Sequence, residues 1–216
     1  MDYALARQHM VDSQIRTNKV TDEHLIEAIR ALPRERFVPE ALRPRSYLDD
    51  DIELAPGRHL MEPMVTGRLI QAAAVKATDM ALVVGAATGY AAALLAKLTH
   101  TVVALEADAA LAQRASLAFA ELGIDNAAVV EGQHAAGCAR HAPYDVIFLD
   151  GAVEQLPQAI IDQLGEGGRM VGVAIEGGIG RAMLWLKSGG ILSKRILFDA
   201  NVTPLPGFGV PARFVF

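Results

Sequence analysis

Two glycines and one carboxylate are the residues most open to a chemical reading. In "MALVVGAATGY", residues 80–90, an apolar run ends at Gly85, and a helical stretch begins after Gly89. Gly85, Ala86, Ala87, Thr88 and Gly89 are all small, so their backbone can approach a bound molecule closely. Glu106 stands 21 positions beyond Gly85, at the end of the next apolar run. A carboxylate there can accept two hydrogen bonds from a ribose diol. Without a ligand, the glycines would merely serve a tight turn and Glu106 would be solvated. The acid and the middle glycine that often accompany such a loop are absent, since position 83 is Val and position 87 is Ala.

These residues must be positioned by an alternating set of elements. "MALVVG" (80–85), "TVVALE" (101–106), "AAVVEG" (127–132), "YDVIFLDG" (144–151) and "RMVGVAI" (169–175) read as buried strands. Helices are expected between them over 90–98, 108–123 and 156–168, the last two stopped by glycine. Near-continuous apolar strands alternating with helices predict a parallel sheet covered on both faces. In such a sheet a ligand binds beyond the carboxyl ends of the strands, where strand order reverses. "AMLWLKSGGILSKRILFDANV" predicts an antiparallel hairpin turning at Ser188–Gly190, with Trp185 as packing. The closing stretch "TPLPGFGVPARFVF" reads as loop, and its "GFGVP" as a lid or a plain loop. Upstream, residues 1–33 read as helical, with Leu25, Ile26, Ile29 and Leu32 on one stripe, Thr21 as cap and Pro33 as stop. Residues 34–60 are broken by Pro39, Pro44, Pro56 and Gly57, and helix resumes over 65–76.

Composition bounds the remaining classes. A chain of 216 residues, 52% hydrophobic, fits one domain with a small appendage. A formal net charge of −5 argues against a nucleic-acid partner. The modest basic cluster of Arg30, Arg34, Arg36, Arg43 and Arg45 reads as a solvated loop face. Cys138, the single cysteine, has no internal disulfide partner, and with His134 and His141 it lacks the acidic fourth ligand of a zinc site, so no metal is expected. His24 and His100 read as surface or cap residues. The charged N-terminus lacks a signal-peptide core, and no apolar run is long enough to span a bilayer. A cytoplasmic protein, monomer or homodimer, with no membrane partner, is the expectation.

The cofactor reading narrows on two features. Ala87 crowds the approach that a pyrophosphate requires, whereas S-adenosylmethionine carries no phosphate and constrains its loop less. A C-terminal antiparallel hairpin also suits methyltransferases better than dehydrogenases, although the Gly85-to-Glu106 spacing permits NAD.

Longer blocks carry a more specific signal. "MVDSQIRTNKVTD", "LPRERFVPEALRPRSYLDDDIEL", "LAPGRHLMEPMVTGRLIQ", "LVVGAATGYAAALLAKL" and "APYDVIFLDGAVEQLPQAIIDQLGEGGRMV" together resemble the protein-L-isoaspartate O-methyltransferase family over most of the chain. The resemblance implies a Rossmann-like, seven-stranded, mostly parallel α/β sheet with a C-terminal antiparallel hairpin. It divides the chain into an N-terminal helical extension, 1–64, covering the active site, and a methyltransferase domain, 65–216. It implies S-adenosylmethionine as cofactor and transfer of its methyl group to the α-carboxylate of an isoaspartyl residue in a damaged peptide or protein. The ester then cyclises to a succinimide, which can reopen to normal aspartate. Such chemistry needs positioning rather than a strong base.

By the same resemblance, Gly85, Ala86, Ala87, Gly89, Tyr90, Glu106 and Gln133 are expected on the cofactor, and His59, Met61 and Asp150 at the reaction centre. Phe37, Pro39 and Tyr47 could line the substrate cleft or simply pack. The departures fall on the chemistry. Met61 replaces the family's active-site serine and cannot donate a hydrogen bond. Glu62 brings negative charge toward an anionic substrate. Gln133 stands for an acid facing the adenine, and Asp150 for a threonine. Two outcomes follow: a divergent active methyltransferase, or a retained fold with lost or altered catalysis that binds a ligand or partner or methylates another acceptor.

Overall fold

The computed structural model describes residues 1–209. The part of the closing loop from Val210 onward lies outside the described residues. The N-terminal segment holds two helices. α1 (Tyr3–Met10) is capped by Asp2 and runs into a π-helical turn, Val11–Ile15. α2 (Glu23–Ala31) is capped by Asp22, one residue beyond the expected Thr21, with its carboxylate accepting from the N–H groups of His24 and Leu25. Leu32 is already extended, as a residue before proline prefers to be. Leu25, Ile26, Ile29 and Leu32 are buried together, as their spacing predicts.

Two 3₁₀ turns follow, Arg34–Phe37 and Glu40–Arg45. A small antiparallel hairpin, β1 (Ile52–Ala55) and β2 (Arg58–Leu60), pairs Ile52 with Leu60 and joins no other strand among the described residues. α3 (Pro63–Ala72) starts on its proline, where the missing N–H costs nothing.

The remaining elements are β3 (Met80–Val84), α4 (Tyr90–Ala96), β4 (Thr101–Glu106), α5 (Ala109–Leu122), β5 (Ala127–Glu131), β6 (Tyr144–Val153), α6 (Gln158–Gln163), β7 (Leu164–Glu176), β8 (Ile179–Ser188) and β9 (Ile191–Asp199). They form a seven-stranded sheet ordered β5-β4-β3-β6-β7-β8-β9. The first five in that order are parallel, and β8 and β9 are antiparallel additions turning at Gly189–Gly190. Trp185 packs inside, 5% exposed.

Both sheet faces are core. Ala81, Val83, Val102, Ala104, Val146 and Phe148 face α4 and the N-terminal helices. Leu82, Val84, Val103, Leu105, Ile147 and Leu149 face the opposite layer with Leu205 and Phe208. The expected helix over 156–168 ends at Gln163, because Leu164 is drawn into pairing with Tyr144 and the glycine-rich run after it is a poor helix former. Chain order reverses at β3, which has β4 on one side and β6 on the other. The crevice at the carboxyl end of β3 is therefore where a ligand site belongs. Among the described residues no helix is long and apolar enough to cross a membrane.

Candidate functional site

The turn leaving β3 takes left-handed backbone at Gly85 (φ 76°), Ala87 (φ 49°) and Gly89 (φ 95°). Ala87 thus occupies a conformation that glycine adopts freely and alanine does not. Its N–H donates to Glu106 Oε2 at 2.6 Å, which holds the turn in that shape. A Cβ on Gly89 would lie 2.7 Å from Phe119, so α4 starts directly against α5.

Glu106 sits where the sequence places it, at the carboxyl end of β4, but it is fully buried, not solvated. Its Oε2 also accepts from Arg58 Nη2 at 2.7 Å. Its Oε1 accepts from the N–H groups of Ala107 and Asp108 at 2.9 and 3.0 Å. His134 Nε2 lies 3.1 Å from Oε1 and donates to it when it carries the ring proton. Burial alone would push this carboxyl up; the His134 hydrogen bond and the Arg58 charge outweigh it and hold it at about 2.

Arg58 and His134 were not singled out by sequence. No local pattern shows that Arg58 will reach a strand 48 residues away, and His134 looked like a loop residue near Cys138. Cys138 itself is buried, with its N–H on Gln163 and its carbonyl accepting from Tyr144.

The other expected cofactor contacts divide. Gly85 faces the crevice, but a Cβ there would lie 2.5 Å from Leu205 and 3.2 Å from Arg58 Nη2, so both side chains already cover it. Ala86 is buried. Gln133 is exposed beyond β5. Tyr90 is buried and turned toward the N-terminal segment, edge-on to Phe37 (centroids 5.4 Å apart) and beneath the Arg34 guanidinium at 4.6 Å. Thr88 bonds the Phe37 carbonyl. Pro39 is half-buried, and Tyr47, like Phe37, is core.

Arg34 corrects the reading of its cluster as solvated. It is fully buried, donating to the carbonyls of Ser46 and Met61 at 2.8 and 2.7 Å, because Tyr90 and those two carbonyls offer a cation a site that the sequence does not display.

On the other side, His59, Met61 and Asp150 do converge on one cleft, shared with Arg58, Asp51 and Gly151. It holds about 10 Å³, room for no more than a water. It adjoins a wider open groove lined by Asp50, Asp51, Glu62 and Asn201. Met61 is buried, and His59 is half-buried with Nδ1 unpartnered among the described residues. Burial pushes the Asp150 carboxyl up to about 7, against the pull of Arg58 and Arg34. Burial, reinforced by Asp49, Asp51 and Asp50, raises Glu62 to about 7.

The crevice can be tested for an adenosyl group. A ribose diol needs free lone pairs on Glu106, and all of them are taken by protein donors. Arg58 and Leu205 fill the space above Gly85. In this arrangement the residues of the chain do not accommodate the group.

Comparison with known proteins places these features in context. A family model described as protein-L-isoaspartate(D-aspartate) O-methyltransferase matches residues 5–195. A Koribacter versatilis protein named protein-L-isoaspartate O-methyltransferase is 36% identical over 95% of this chain and 92% of its own. One of the same name from Herpetosiphon aurantiacus is 33% identical over 94% and 91%. Among solved structures, a protein-L-isoaspartate O-methyltransferase superposes with a TM-score of 0.82, at 23% identity, over 93% of this chain and 66% of that one. A Plasmodium falciparum structure described as a complex with S-adenosyl-L-homocysteine gives 0.77 at 18% identity, covering 95% and 98%. At these identities the structures show the fold.

Proposed function

The chain belongs to the protein-L-isoaspartate O-methyltransferase family, and from that premise we propose that it methylates the α-carboxylate of L-isoaspartyl residues in damaged proteins, with S-adenosylmethionine as donor. The family match over residues 5–195 carries this reading. The Gly85–Gly89 turn beside Glu106, at the switch point of the sheet, supports it. The direct test is incubation with an isoaspartyl peptide and methyl-labelled donor. Base-labile label on the peptide is expected; none from folded protein would end this assignment.

The acceptor side is assigned to His59, Met61 and Asp150, with residues 1–64 as a cap over residues 65–216. The acceptor carboxylate is already a nucleophile at neutral pH, so these residues need only orient it and exclude water. Ionised Asp150 and Glu62 would repel it. Both carboxyls titrate at about 7, so below that value they are neutral and can donate hydrogen bonds. The kcat/KM for the peptide is therefore expected to rise roughly tenfold from pH 8 to pH 6. A flat profile would show that neither carboxyl meets the acceptor.

A second reading, in which catalysis is lost or redirected, is favoured by Met61, which supplies no hydroxyl, and by the filled crevice. Met61→Ser separates the two. Restoring an oriented donor should raise residual methylation by about 10²-fold. No gain in a folded variant would favour another acceptor or a binding role.

A further inference from the structure

We propose that Arg58, backed by Leu205, is an internal latch that holds the donor crevice shut, and that a donor reaches Glu106 only by displacing it. The inference rests on the donor reading above. Arg58 Nη2 bridges the two groups that frame the crevice, Glu106 Oε2 and the Gly85 carbonyl, each at 2.7 Å. It occupies one acceptor site on the carboxylate that a ribose hydroxyl would otherwise use. Leu205 closes the other side. Its side chain packs over Gly85 and Gly151, at the carboxyl ends of β3 and β6. It is held there by its N–H on the Ala152 carbonyl (2.7 Å), while Ala152 N–H returns a bond to Thr203 (3.0 Å).

Neither part of the latch belongs to a strand of the seven-stranded sheet. Arg58 rides on β1–β2, whose strands pair only with each other among the described residues. Leu205 lies in the loop after β9, which meets β6 at the Ala152–Pro204 bridge. The closed state is also incompletely satisfied, because Arg58 Nε is buried with no hydrogen-bond partner among the described residues. Asp150 lines the same small cleft and is 5% exposed. Displacing Arg58 would free one acceptor site on Glu106 Oε2 for a ribose hydroxyl.

The test is calorimetric titration with S-adenosylhomocysteine of the full chain, Arg58→Gln and Leu205→Ala. Both variants are expected to bind at least about tenfold more tightly than the unaltered protein, since they no longer spend binding free energy on opening. Leu205→Ala keeps the Arg58–Glu106 pair, so it decides the matter if Arg58→Gln does not fold. Hydrogen exchange gives a second reading: adding the ligand to the unaltered protein should speed exchange in β1–β2. Equal affinities across the three proteins would overturn the latch while leaving the donor reading intact. Folded protein that binds in none of the three forms would overturn both.

Discussion

Glu106→Gln is expected to cost about 3–5 kcal/mol of folding stability at neutral pH, the range for stripping one partner from a buried ion pair. The amide keeps one acceptor and turns an NH₂ toward backbone N–H groups that now donate to Oε1 or Oε2. It also leaves Arg58 charged and buried without its counter-ion. The pH dependence gives a check on the cause. The carboxyl is held at about 2, below its ordinary 4.5, so its stabilisation is fully present above 4.5 and is lost as pH falls toward 2. The gap between the two proteins in urea denaturation should therefore be constant from pH 7 down to about 5 and shrink below that. A difference under about 0.5 kcal/mol at pH 7, the range of an ordinary surface change, would mean the cluster does not bear on stability.

Asp150→Asn should act with the opposite sign. The buried carboxyl titrates at about 7 in place of 3.8. Between those values the folded chain holds a proton that the unfolded chain has released, so stability falls as pH rises through the window. The unaltered protein is expected to lose about 2–3 kcal/mol relative to the asparagine variant between pH 5 and pH 8, at about 1.4 kcal/mol per pH unit. Urea midpoints for both proteins at the two pH values measure this. A gap independent of pH would show that Arg58 and Arg34 keep Asp150 ionised throughout.

The two carboxyls show why sequence reading succeeds and where it stops. Glu106 was found because its place depends on local order: a strand, a small-residue turn, a helix and a second strand put it beside Gly85 wherever the chain folds as a parallel sheet. Its partners were not found. Arg58 comes from a separate hairpin and His134 from a turn after β5, and neither carries a periodic pattern. Arg34 was misjudged for a similar reason. A cluster of arginines reads as solvated face, and only the packing of Tyr90 against two backbone carbonyls makes a dry site for one of them. The break at Leu164 was missed because pairing with Tyr144 overrode a helical run of six residues.

Apolar periodicity, glycine placement and the long irregular blocks of the first half were sufficient, read by themselves, to determine the sheet, its hairpin, the family and the location of the crevice. Each depends on interactions between near neighbours or on the separation of apolar from polar faces. Whether the crevice is open was decided by tertiary structure alone. That state depends on which distant donors reach Glu106 and which apolar side chain covers Gly85, and contacts between segments so far apart in the chain exist only once the whole fold has closed.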